Sequence, residues 1–305
     1  MSGYQPRDDE FVAGHRARLP TELLQEQLAL ADAALPRGEE TKSLFSTLVR
    51  PVLLKALASL SNLEMHAYVR RHTLIPFVCF LNYEARGCRA GMPCDIPSPW
   101  VSDLVKRARS RAYACWKCAE EDQVLGAGSW WRRSHQIPGT YSCARHTGHP
   151  LGEVDLRHGL PPLQRDATGQ SVDRSALLMG HPLVARFAAV CGAMLTYERA
   201  FSTGALREAL IYRGRAAGLR VGTGGRKLLL SDIAVDEMPN SFLEEVFFRN
   251  LQMRKEPGKV FLPIDAVLNK GHACSVRNVA LAFTLLYDGH DEAFEDCLLP
   301  QGTEN

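Results

Sequence analysis

Residues 113–151 run YACWKCAEEDQVLGAGSWWRRSHQIPGTYSCARHTGHPL, with Cys115 and Cys118 two residues apart, 24 residues between (119–142), and then Cys143 and His146 two residues apart. A two-residue gap lets two side chains on one tight knuckle reach a single ion at tetrahedral angles, and two such knuckles complete a set of four soft or borderline ligands. The spacing predicts one structural zinc ion held by Cys115, Cys118, Cys143 and His146. With no position left for water, such an ion serves folding, because its binding free energy becomes the stability of a segment too loop-rich to hold itself together. His149 and His135 are rival fourth ligands; His146 is preferred because its spacing mirrors the first pair.

Outward from this segment the pattern is mainly α. Upstream, TELLQEQLALADAA (21–34), LFSTLVRPVLLKALASL (44–60) and NLEMHAYVRRHTLIPFVCFL (62–81) carry apolar residues at helical spacing, with breaks at Pro51 and Pro76. Residues 87–99 read as a loop, and 103–113 as a basic helix leading into the first knuckle. Residues 148–170 are rich in Gly, Pro and Asp and place a domain boundary near 160, giving units 1–160 and 161–305. The second unit reads as five helices: 181–200, 202–219, 230–238, 240–251 and 274–289. Ser202 and Thr203, Ser231 and Asp232, and Asn240 and Ser241 stand where N-caps are wanted.

Length and composition agree with two globular units. The chain has 305 residues, 46% of them hydrophobic and 23% charged, with a formal net charge of +2, so any nucleic-acid contact should be local rather than spread over the surface. No run of about 18 apolar residues and no signal-peptide core occurs, which predicts a cytoplasmic protein away from membranes. Nine cysteines without a secretion signal fit metal ligands and buried thiols better than disulfides. Cys79 and Cys191 lie in apolar patterns and read as core. Cys88 with Cys94, and the looser set His272, Cys274, His290 and Cys297, are weaker candidates for a second metal.

The residues around the ligands resemble the TniQ/TnsD family, the target-selecting adaptors of a class of bacterial transposons. YACWKCAEED (113–122) is similar to that family's first knuckle, WWRRSHQIPG (130–139) to its W-R-R-S-H-Q-hydrophobic-P-G signature, and Cys143 to His146 with Leu151 to the knuckle that follows. RRHTLIPFVCFL (70–81) resembles its H-T-L-hydrophobic-P stretch. The resemblance is specific from about Leu63 to Leu151, fainter beyond, and weak over the first 40 residues. It implies a helical TniQ-type domain with a zinc-finger insert (about 113–151) and a C-terminal helical domain with a helix-turn-helix-like region (about 200–250). It also implies an adaptor that recognises a target complex or target DNA and recruits an AAA+ ATPase transposition regulator. The modest length leans toward the compact TniQ type, which in some systems docks on an RNA-guided Cascade complex of a CRISPR-associated transposon and acts as a dimer. A zinc-containing helix-turn-helix transcription regulator is the alternative.

Two basic windows bear on nucleic acid. Residues 101–150 hold eight Lys or Arg against four acids, and 207–227 hold six against Glu208. Such patches release counterions from phosphates, although a charge run is usually a solvated face. Trp130, Arg132, Arg133, Arg213, Arg215, Arg226 and Lys227 are the expected nucleic-acid or partner contacts, with the turn 218–225 read as a helix-turn-helix turn. Trp130 and Trp131 either anchor a partner or pack over the metal knuckle. The stretch from Asp288 onward has six acids and no Lys or Arg, so it is no DNA-binding arm. No phosphate-binding loop and no converging carboxylates for Mg2+ occur, which argues against an enzyme.

Overall fold

The computed structural model describes residues 5–32, 51–78, 80–82, 112–125, 128–146, 148–154, 172–198, 201–221, 228–247, 258–269, 272 and 274–298. The expected loop 87–99 with Cys88 and Cys94, Cys79, residues 103–111 of the expected basic helix 103–113, residues 155–170 of the expected boundary segment 148–170, and Arg226 with Lys227 lie outside the described residues, while Ala112 and Tyr113 are strand rather than helix and Gly152–Val154 is a strand within the boundary segment.

The fold is mainly helical, with four short strands among the described residues. In the first half stand α1 (Val12–Arg18), α2 (Thr21–Asp32), α3 (Pro51–Leu60), α4 (Met65–His72) and the single turn α5 (Ile75–Val78). Pro51 opens α3, where its missing N–H costs nothing, and Pro76 sits in the first turn of α5 for the same reason. The break between α4 and α5 is made by Thr73, whose hydroxyl donates to Val69 O at 2.7 Å and accepts from Ile75 N at 3.1 Å. A first core forms here from Phe11, Val12, Leu53, Leu54, Leu57, Tyr68, Val69, Ile75 and Trp131.

In the second half follow α7 (Val172–Met179), α8 (Pro182–Thr196), α9 (Thr203–Ala216), α10 (Leu230–Glu237), α11 (Asn240–Phe247), α12 (Leu262–Asp265), α13 (Val276–Leu286) and α14 (His290–Leu298). Buried on nearly every face, α13 runs through the centre of this half. Ser202 caps α9 as expected, accepting from Ala205 N. Asp232 does not cap α10: it stands at the third helical position and reaches back to accept from Leu229 N at 2.9 Å. Ser231 is buried beside the Asp265 carboxylate, to which its amide and hydroxyl donate at 2.9 and 2.8 Å.

The main core draws on both sides of residue 160. Phe77, Phe80, Leu81, Ile137 and Tyr141 pack into the same cluster as Phe187, Phe242, Val246 and Phe283. A parallel pair of two-residue strands, β1 (Leu81–Asn82) and β4 (Phe201–Ser202), crosses the same divide. Gly139 is the tightest point of this junction. Its φ is +82°, and a Cβ there would lie 2.7 Å from Phe187 Cε1, so the chain can turn into the second knuckle only without a side chain.

A candidate metal centre and the strip beneath it

The first knuckle is a strand running into a helix. β2 (Ala112–Ala114) pairs antiparallel with β3 (Gly152–Val154), and Cys115 is the extended residue that opens α6 (Trp116–Val124), so Cys118 comes round in the first turn beside it. The second knuckle is a tight reversal: Cys143 N donates to His149 O and His149 N to His146 O, both at 3.0 Å. Leu151 N returns to Tyr141 O at 2.8 Å, which brings β3 back beside β2. His149 therefore closes the turn with its backbone, and its ring lies edge-on to His146.

The ligand atoms of Cys115, Cys118, Cys143 and His146 all lie within 4.8 Å of one another, and the three cysteines are buried. His146 Nδ1 stands 3.5, 3.4 and 3.6 Å from the sulfurs of Cys115, Cys118 and Cys143, and Cys118 Sγ lies 3.6 Å from Cys143 Sγ. A tetrahedron with metal–sulfur bonds of about 2.3 Å and metal–nitrogen bonds of about 2.0 Å has edges of roughly 3.8 Å between sulfurs and 3.6 Å from sulfur to nitrogen. The site matches that figure and can hold one metal ion in a closed set of four ligands. Among the described residues no other group of three or more such side chains converges, so His272, Cys274, His290 and Cys297 are not brought together.

The electrostatics suit a cation. Crowding makes the three thiols share protons: hydrogen bonding with Cys118 and Cys143 holds Cys115 protonated far above its ordinary range, bonding with Cys115 pushes Cys118 down to about 7, and Cys115 and then Cys118 hold Cys143 well below its usual value. His146 turns Nε2 to the Glu121 carboxylate at 2.8 Å, which raises its pKa and fixes Nδ1 toward the sulfurs. Glu121 also receives Arg145 at 3.2 Å. The Glu121 carboxylate is thus engaged by both His146 and Arg145.

Between the knuckles, WWRRSHQ is held from below by the N-terminal strap, residues 5–11. Phe11 N donates to Trp131 O and Arg133 N to Asp9 O, both at 2.7 Å, and Glu10 bridges to Arg132 as in an antiparallel sheet. Asp9, at φ +55°, accepts from Arg133 Nε at 3.2 Å and from the Ser134 amide and hydroxyl. Glu10 is fully buried yet satisfied by a two-pronged pair with Arg18, at 2.9 and 2.7 Å, and by Arg7 N at 2.9 Å. Gln136 uses its side-chain amide as a piece of strand, accepting from Tyr113 N at 3.1 Å and donating to Tyr113 O at 2.8 Å.

The TniQ family model matches residues 3–148. Its N-terminal half is a TniQ domain. The match takes in the strap, where the sequence resemblance was weakest, as well as both knuckles through His146. No curated protein matches the chain. Membership of this family carries a general adaptor role in transposition.

Several expected contacts of the TniQ domain face inward. Arg132 is 2% exposed and ion-paired with Asp122 at 2.7 Å, and Arg133 is buried against Asp9 and donates to Arg70 O. Both are packed against the strap and their carboxylate partners and cannot reach a phosphate without displacing them. Trp130 is half-buried and carries two guanidiniums, Arg7 at 4.8 Å and Arg132 at 4.2 Å from the ring centroid, while Trp131 joins the first core. Arg213 stacks over Tyr287 at 4.8 Å and pairs with Glu292, so an acid of the C-terminal stretch is engaged within the chain. Arg215 is exposed. α9 ends at Ala216 and α10 begins at Leu230, with residues 222–227 of the expected helix-turn-helix turn outside the described residues; the first turn of α10 is buried at Leu230, Ser231 and Asp232.

The residues that sequence reasoning missed are Asp9, Glu121, Asp122 and Gln136. A signal existed for Asp122, a charged residue one helical turn beyond Cys118 and so on the same face. None existed for Asp9, whose partner lies 124 positions away.

Proposed function

We propose that this chain is a target-selection adaptor for DNA transposition that carries one zinc ion at Cys115, Cys118, Cys143 and His146. It joins a recognition element, an RNA-guided Cascade-like complex or target DNA, to an AAA+ ATPase regulator, and it works by binding rather than by catalysis, in the cytoplasm and as a homodimer. The observation that carries this reading is the TniQ match over the strap and both knuckles. Zinc is the ion favoured by three thiolates and one imidazole in a closed tetrahedral set. When bound it would supply cross-linking between two sequence-distant knuckles and leave no open position for a substrate.

Nucleic acid would meet the second half at the exposed Arg215 on α9 and at Arg226 and Lys227, which precede α10 in the sequence. No helix among the described residues is long and apolar enough to cross a membrane. The test is co-purification of the full chain with the regulator and with a Cascade-like complex or target DNA, paired with a transposition assay in cells. Transposition that proceeds unchanged without the chain, together with no association with either class of partner, rejects the reading.

A further inference from the structure

One side of the metal centre is lined by charge that the four ligands do not account for. Among the described residues Arg132 is the largest fully buried side chain, which is an unusual place for a guanidinium. One of its nitrogens donates to Asp122 Oδ1 at 2.7 Å, its Cζ lies 4.2 Å from the centroid of the Trp130 ring, and the same ring also carries Arg7 at 4.8 Å. Two atoms of the pair, Arg132 Nε and Asp122 Oδ2, are buried with no hydrogen-bond partner. Asp122 lies one turn along α6 from Cys118, so the pair stands directly beside that ligand. After Cys115, the groups whose hydrogen bonding lowers the Cys118 pKa are His135 and Arg132, both from the 130–137 strip.

Charge explains why a cation should be buried there. Three thiolates, one neutral imidazole and a divalent ion sum to −1, and Asp122 adds another −1; Arg132 and Arg7, the two cations on the Trp130 ring, bring the total to zero. Without Arg132 the centre would hold uncompensated negative charge in a site closed to water. An arginine fork can serve a carboxylate and a sulfur at once because its donors are fixed in one plane, whereas an ammonium cannot.

We propose that Arg132 is a positioning residue of the metal centre, donating an N–H to the Cys118 sulfur while it holds Asp122 and Trp130, so that the WWRR strip is the outer support of the metal rather than a surface for nucleic acid. This rests on the metal reading above. Through Trp130 it ties the ion to the strap, because Trp130 Nε1 donates to Asp8 O at 3.2 Å and Arg7 donates to Gly128 O.

The experiment is a chelator competition on the full chain, with Zn2+ and with Co2+ as a spectroscopic substitute, for wild type, Arg132→Met and Arg132→Lys. Wild type binds one ion per chain. Arg132→Met, of similar length and uncharged, loses about 10- to 100-fold in affinity, the usual cost of removing an outer partner. Its sulfur-to-cobalt charge-transfer band moves to lower energy as the sulfur loses its hydrogen bond. Arg132→Lys restores the charge without the fork and falls between the two; it also serves if the Met variant does not fold. A purely structural arginine would lower the melting temperature of both variants while affinity and band position stay at wild-type values, and that outcome overturns the proposal. A wild-type chain that binds no metal would instead reject the metal reading itself.

Discussion

Gly139→Ala tests whether the metal knuckles and the C-terminal helices form one structure. Two separable costs meet at this residue. Its φ of +82° lies in the left-handed region, where an L side chain costs about 1–2 kcal/mol. The new methyl would also stand 2.7 and 3.0 Å from Phe187 Cε1 and Cδ1 and 3.0 Å from Val246 Cγ2. Phe187 cannot yield, since it is fully buried and packed edge-on against Phe242 with ring centroids 5.2 Å apart. Overpacking of this kind costs about 1–3 kcal/mol, so the sum is roughly 2–5 kcal/mol. Gly218→Ala is the internal control, because Gly218 has φ +77° and nothing within 4 Å of its missing Cβ, leaving only the backbone cost of about 1–2 kcal/mol. Urea unfolding of the metal-loaded proteins measures both, with an unchanged slope showing that the denatured state is the same. If Gly139→Ala loses no more than Gly218→Ala, the junction is not close-packed and the shared core fails as an explanation.

Other expectations follow from single residues. Cys118→Ser should lose the metal and expose 113–151 to protease while α7–α14 keep their hydrogen-exchange protection; metal content of one per chain in that variant would contradict the ligand assignment. Asp9→Ala leaves the buried Arg133 and Ser134 without their acceptor and should destabilise by about 2–4 kcal/mol in the same urea assay. Burial lowers the pKa of His72 to about 4, against its Nδ1 bond to Glu10 O and with His15 and Arg133 opposing its charge. The folded protein thus binds this proton later than the unfolded chain, so the contribution is complete above about pH 6.5 and is lost as pH falls from there toward 4, by up to about 3 kcal/mol. His72→Gln should flatten that limb of the stability profile, and an unchanged profile would show that His72 is not held neutral. Arg215→Ala should weaken nucleic-acid binding and reduce its salt dependence by about one ion, with metal content unchanged; a wild-type salt titration would remove α9 from the interface.

The sequence by itself was sufficient for the four side chains that converge, Cys115, Cys118, Cys143 and His146, for the mainly helical class and for the family. Ligand chemistry and helical periodicity are local, repeating signals that survive without knowledge of distant contacts. Ser202 as a cap and Cys191 as core were legible on the same grounds. Tertiary structure alone decided the roles of the arginines. Arg132, Arg133 and Arg213 carry the same charge as Arg215, and nothing in the chain's order tells a guanidinium that meets a buried carboxylate from one that meets solvent. That distinction depends on Asp9 and Glu292, which lie 124 and 79 positions from their partners. The union of the two halves in one core was likewise decided by Gly139, where the absence of a side chain matters only because Phe187 happens to stand against it.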